Sequence, residues 1–255
     1  MHWQGEELEL GTTYFAYANN LTLRKEPSLN AEKIALLPIN QELKVISVSD
    51  KTMLLNGYNS SWVEVQAGVN TGFVVSGLLA NGRFRLNDGS FLLYNKNANP
   101  SYTKAAAALQ FRKVSNNSAA YIELGEAPLH HDTFAVVLHN NKGLTGIDHI
   151  IEIDLTAEAC GLEGGTGYAT LAFEKGKINY LGFYNSVFDG GAFHMKEALV
   201  FPGDKEGRPD TIIYKGEEGG FVDDEENEYR TVQKVKSYAW INGRLERPIV
   251  KFTYN

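Results

Sequence analysis

One cysteine, Cys160, is the entire thiol content of the 255-residue chain. A lone thiol closes no internal disulfide, so packing and hydrogen bonds must hold the fold. Oxidising compartments do not require disulfides, and the scarcity of cysteine leaves the compartment open. Long apolar runs are missing too, since no stretch approaches the ~18 to 20 residues a helix needs to cross a bilayer. Residues 1–7 have neither the basic start nor the apolar stretch of a secretory signal. The expectation is a cytoplasmic chain, or an exported one whose leader was removed before Met1.

Positive charge is also in short supply. Lys and Arg number 24 against 31 Asp and Glu, a net charge of -7, and the basic residues are scattered. Such a surface repels nucleic acid over most of its area, and anionic lipid for the same reason. It suits a cationic protein, or a neutral glycan or peptide.

Signatures of catalysis and metal binding are scarce as well. There is no Gly-x-Ser-x-Gly elbow, and the run Gly161-Leu162-Glu163-Gly164-Gly165-Thr166-Gly167 lacks the Lys and following helix of a phosphate loop. His130-His131-Asp132 with His139 is the densest histidine group, but neighbours on a strand point to opposite faces and no His-x-His spacing occurs. Asp189-Gly190-Gly191, Asp204 and Asp223-Asp224-Glu225-Glu226 supply oxygens without the spacing of an EF-hand loop, and read as solvated turns. No catalytic residue, metal or cofactor is therefore expected.

Turn chemistry is what the chain has in abundance. Asn-Gly at 56, 81 and 242 and Asp-Gly at 88 and 189 are dipeptides that accept the positive φ of tight hairpins. Between them lie runs of strand length rich in Val, Ile, Tyr and Phe, at 42–48, 134–139, 149–155, 168–173, 177–184, 211–214 and 232–240. These predict an all-β fold. One departure is Pro100-Ser101 followed by the four alanines 105–108, whose propensity predicts a short helix near 101–110. No fixed internal period supports a propeller or solenoid.

The first quarter carries a further pattern. Leu21-Thr22-Leu23-Arg24-Lys25-Glu26-Pro27-Ser28 leads through the turn at Gly57 to Trp62-Val63-Glu64-Val65 and then Gly72-Phe73-Val74. In that order these marks resemble a bacterial SH3 domain. The resemblance covers residues 13–80 and implies a small SH3-like barrel that recognises rather than catalyses. It also implies a cell-envelope setting if a leader was removed, with peptidoglycan peptides as the family's best-known ligands. The expected organisation is a tail at 1–12, the barrel at 13–80, a hairpin and connecting helix and loop region at 81–119, and a β-rich domain at 120–255. That last domain is expected to be a β-sandwich or an irregular barrel.

Within the barrel, Arg24 is placed to bond turn carbonyls, and Gly72 to allow a turn or a close backbone approach. Tyr14, Tyr17, Asn19, Tyr58 and Trp62 are the candidate ligand-binding residues by position and type, because rings give contact area at low entropic cost. Trp62 could equally pack over the barrel mouth. Leu54-Leu55 before Asn56-Gly57 lengthens the hairpin relative to the short family form and alters the groove.

The family often accompanies cysteine peptidases, with Cys160 and His194 the available pair here. Two glycines close behind Cys160 oppose the helix such a nucleophile sits on. The reading that follows is a non-enzymatic recognition protein of the bacterial cell envelope, binding a wall peptide or a protein partner. The alternatives are an inhibitor or immunity-type protein that blocks a cationic enzyme, and a divergent peptidoglycan hydrolase.

Overall fold

The structure is a computed structural model that describes residues 8–55, 57–97, 107–116, 120–129, 133–155, 167–189, 191–222 and 228–246. It is all-β, as the turn and strand pattern predicts, with a single 3-10 turn at Ser76–Leu78 among the described residues. The chain divides into two compact units, one at Glu6–Leu129 and the other comprising His130–Asn255 with Met1–Gly5.

The first unit begins with β1 (Thr13–Phe15), β2 (Leu21–Arg24), β3 (Lys33–Leu37), β4 (Glu42–Leu55), β5 (Tyr58–Ala67) and β6 (Asn70–Val75). They form a half-barrel in the order β1-β4-β5-β6-β2-β3. Alternation builds it: Leu21 and Leu23 of β2, Leu43 and Val45 of β4, and Val63 and Val65 of β5 all point into one core with Val74 and Leu79. Arg24 donates from Nη1 to the Ala31 carbonyl at 2.9 Å, tying down the β2–β3 turn. A Cβ on Gly72 would lie 2.6 Å from the Arg24 carbonyl oxygen, so only glycine lets β6 approach β2 this closely.

A second sheet follows in the same unit, β7 (Gly82–Arg85), β8 (Phe91–Asn97), β9 (Ala107–Val114) and β10 (Tyr121–Leu129), in the order β10-β9-β8-β7. The 81–119 region, read from sequence as a hairpin with a connecting helix and loop, contributes β7 and β8, which pair as a hairpin, and β9 to this sheet, and the division between units falls after Leu129. The short helix near 101–110 is corrected where the structure describes it. Residues 98–106 lie outside the described part, while Ala107, Ala108 and Leu109 open β9, paired with Leu129, Pro128 and Ala127 of β10. Ala107 and Ala108 are almost fully buried there. Close packing against neighbours outweighs alanine's preference for helix, a difference of only ~0.5 kcal/mol per residue for most side chains.

The second unit is one antiparallel meander: β11 (Ala135–His139), β12 (His149–Asp154), β13 (Gly167–Glu174), β14 (Lys177–Asp189), β15 (Phe193–Val200), β16 (Thr211–Phe221), β17 (Tyr229–Ile241) and β18 (Arg244–Leu245). Its main cluster joins Ile150 and Ala172 to Leu181, Tyr184, Phe201, Ile212, Tyr214 and Trp240, capped by Leu144 and Ile147 from the β11–β12 loop. The Trp240 indole N–H donates to the Thr145 carbonyl at 2.9 Å, which satisfies its polar edge inside this cluster. The loop after β15 packs on the same β11–β12 loop, with the Gly203 N–H donating to the Lys142 carbonyl at 2.8 Å.

Candidate recognition surface

The five residues singled out for recognition meet different fates. Tyr17 and Trp62 are each 4% exposed, and their rings fill the interior. Trp62 sits on β5 opposite Val75. Tyr17 joins Ile39, Ala80, Leu93 and Val114, where the half-barrel meets the second sheet of the same unit. Tyr14, Asn19 and Tyr58 stay partly or fully exposed. The Tyr14 hydroxyl accepts the Glu9 backbone N–H at 3.1 Å, and the Asn19 side-chain oxygen accepts the Asn20 N–H at 3.1 Å in a turn where Asn20 has φ of 56°. Tyr14, Tyr17 and Asn19 come from one segment, whereas Tyr58 starts β5 beyond the Gly57 turn.

Arg112 of β9 explains why Tyr17 is enclosed. Its guanidinium lies 4.1 Å from the centre of the Tyr17 ring and 4.6 Å from that of Tyr121, sandwiched between two π faces. Its Nη1 donates to the Tyr17 carbonyl at 2.7 Å, while Nε and Nη2 donate to one oxygen of Glu123 at 2.9 and 2.7 Å. The planar fork of arginine matches this set of acceptors, and a lysine would serve only one. The Tyr17 hydroxyl is buried with no hydrogen-bond partner among the described residues, and burial drives its pKa well above the usual tyrosine range. Arg83 plays a related part at 3.5 Å from the Phe15 ring centre and 4.5 Å from that of Phe91.

Tyr58 is half-buried and is the partly exposed aromatic candidate with a cation beside it. Lys96 Nζ of β8 stands 4.7 Å from its centre. Leu54, in the lengthened part of the hairpin, is 70% exposed nearby in sequence. An aromatic face, a cation and an apolar side chain can together hold an extended peptide bearing a carboxylate. Neither Arg112 nor Lys96 stands out in the sequence. Lys96 lies between two asparagines and Arg112 between Phe111 and Lys113, so neither is marked by a local pattern.

The second unit carries the other notable polar groups. His139 and Glu152 approach to 3.9 Å on adjacent strands, with Lys142, Asp154 and Asp204 near enough to act on their charge. Burial is the main cause that raises the Glu152 pKa and lowers that of His139, so both are pushed toward their neutral forms. His194 of β15 lies between the Tyr229 hydroxyl, 2.6 Å from Nδ1, and Glu217, 3.2 Å from Nε2. Cys160, the His130-His131-Asp132 group and the acidic run 223–226 lie outside the described residues. Among the described residues no group of three His, Cys, Asp or Glu is arranged to hold a metal ion. Among them, too, no helix is long and apolar enough to cross a membrane.

No family model, curated protein or solved structure matches the chain.

Proposed function

We propose that the chain is a non-enzymatic recognition protein of the bacterial cell envelope, whose N-terminal unit is an SH3-like barrel that binds an extended peptide of the wall or of a protein partner. The observation that carries this reading is the half-buried Tyr58 ring with Lys96 Nζ 4.7 Å from its centre, at the turn of the long β4–β5 hairpin. The motif order from Leu21 to Val74 supports the barrel, and the half-barrel sheet with its alternating core agrees with it. Tyr17 and Trp62 become framework, and the contacts move to Tyr58, Lys96, Asn19 and Tyr14. A carboxylate of the peptide would pair with Lys96 while its apolar atoms lie on Tyr58.

Retention of the full chain on purified wall fragments at low salt tests this directly. Tyr58→Ala with Lys96→Ala should weaken retention about tenfold, in the range of a contact hot spot. Unchanged retention by the double variant would place the binding surface elsewhere, and no retention of the unaltered chain would remove the wall peptide as ligand.

A further inference from the structure

Four side chains on one face of β15, β16 and β17 form a chain of hydrogen bonds. The Tyr229 hydroxyl lies 2.6 Å from His194 Nδ1, His194 Nε2 lies 3.2 Å from Glu217 Oε1, and Gln233 Nε2 donates to Glu217 Oε2 at 3.0 Å. The register explains why they meet. His194 pairs with Gly219, and Gly219 with Thr231, so the paired Glu217 and Gln233 sit two residues along on the same face, with Tyr229 on the other side of Thr231. A Cβ at Gly219 would come within 2.3 Å of His194 Cε1 and 3.0 Å of Tyr229 Cε1, so the missing side chain makes room for both rings over β16. The two ring planes are only 13° apart.

The donors and acceptors give this chain a direction. An ionised carboxylate only accepts, and Glu217 receives the Gln233 amide on one oxygen. Its other oxygen takes the proton on His194 Nε2, which in the neutral imidazole leaves a lone pair on Nδ1. The Tyr229 O–H donates to that lone pair. His194 is thus placed as a base toward Tyr229 and is held in the required tautomer by Glu217, the arrangement that turns a hydroxyl into a nucleophile. On the same face, β14 sets Phe188 opposite His194, and β15 carries Lys196 two residues along as a further charge.

Apolar rings flank the hydroxyl. Phe188 is 68% exposed, and the Phe221 ring meets Tyr229 edge-on at 5.1 Å. Tyr229 itself is 39% exposed, so a reactant from solution can reach it. An uncharged apolar group resting on these rings lies beside the phenol oxygen.

We propose that Tyr229 is a nucleophile, with His194 as its base and Glu217 positioning that base, and that it accepts the acyl group of an activated ester whose acyl chain is apolar. The phenol oxygen bonds to the ester carbonyl carbon and the ester C–O bond breaks. The phenol proton passes to His194 Nδ1 and from there to the departing oxygen, giving O-acyl Tyr229 and the free alcohol with no change of oxidation state. One such transfer modifies the chain without turnover and is independent of the barrel and its ligand.

The test mixes the full-length protein with p-nitrophenyl butyrate, follows release of p-nitrophenol by absorbance and locates the butyryl group by peptide mass spectrometry. A fast phase that places the label on Tyr229 is expected, and Tyr229→Phe should remove it. His194→Gln should slow labelling of Tyr229 about a hundredfold with unchanged circular dichroism, the lower end of what a general base contributes. The rate should rise with pH as the imidazole loses its proton and then level off, whereas an unassisted phenol would keep gaining up to about pH 10. The proposal is overturned if Tyr229 is labelled no faster than the half-buried Tyr14, if His194→Gln labels it at the unaltered rate, or if the rate climbs to pH 10 without levelling.

Discussion

β12 and β17 belong to the same eight-stranded meander and meet water to very different degrees. His149, Ile150, Ile151, Ile153 and Asp154 of β12 are buried, whereas residues 229–237 of β17 are all exposed. Both make regular antiparallel pairs, so the ladder does not account for the contrast. The side chains do. β12 places apolar residues at consecutive positions and is covered on both faces, while β17 interleaves Thr, Gln and Lys with isolated valines. A strand in the interior takes its stability from burial, whereas the exposed stretch of β17 relies on its ladder with β16.

The largest expected effect sets these strands against each other. Ile151→Ala should cost about 2–5 kcal/mol, the usual range for emptying a fully buried aliphatic site. Val232→Ala should stay within about 0.5 kcal/mol, as surface changes generally do. Urea unfolding of the full chain checks both. Equal costs would mean that the outer strand is covered in solution, and the contrast would fail.

Arg112→Ala carries the comparison into the first unit, where a half-buried charge rather than an aliphatic side chain packs over the Tyr17 ring. It removes the bond to the Tyr17 carbonyl and the pair with Glu123, and should cost about 1.5–3 kcal/mol, as hydrogen bonds to charged groups do. Arg112→Lys should recover only part of this, since one ammonium cannot replace the fork. Full recovery by lysine would reduce the role of Arg112 to charge alone.

These two sites also mark where the sequence is readable. Alternation at 42–48 and the consecutive isoleucines of β12 identify strands because burial on one face or both leaves a local pattern. Asn56-Gly57 announces its hairpin in the same way, with Leu55 and Tyr58 paired across it. The alanines at 107 and 108 mislead because their partners in β10 come later in the chain and reward small buried side chains over helix propensity. Tyr17 shares that difficulty. It lies 95 residues from Arg112, and nothing near it in sequence says that a guanidinium will cover its ring. Lys96, which stands beside the Tyr58 ring, is equally invisible locally.

A smaller effect probes the exposed half of the meander at Gly219, where its packing is tight. A Cβ at Gly219 would come within 2.3 Å of His194 Cε1, and His194 is hydrogen-bonded to Tyr229. Gly219→Ala should displace the ring at a cost of about 1 kcal/mol, the low end of overpacking, because the half-buried His194 side chain has solvent on one side into which it can swing. The His194 and Tyr229 ring signals should both shift by NMR. A cost as large as that of Ile151→Ala would show that this margin is as rigid as the interior.

The finest distinction lies in how the buried half responds to pH. Glu152 has a raised pKa in the folded chain, chiefly from burial, so above the ordinary glutamate value of 4.5 the folded state holds its proton more tightly than the unfolded state. Stability must then fall as pH rises from 4.5 through the raised value, and Glu152→Gln should abolish that fall. His139 runs the other way. Its pKa is lowered, again chiefly by burial, so below the ordinary histidine value of 6.5 the unfolded state takes up the proton first. Stability must fall as pH drops below 6.5, and His139→Gln should flatten that limb. Denaturant midpoints measured from about pH 4 to 8 should therefore show opposite slopes for the two variants relative to the unaltered chain. Parallel curves would mean that the attraction across 3.9 Å between His139 and Glu152 cancels the cost of burying them, and that this cluster is as indifferent to pH as an exposed pair.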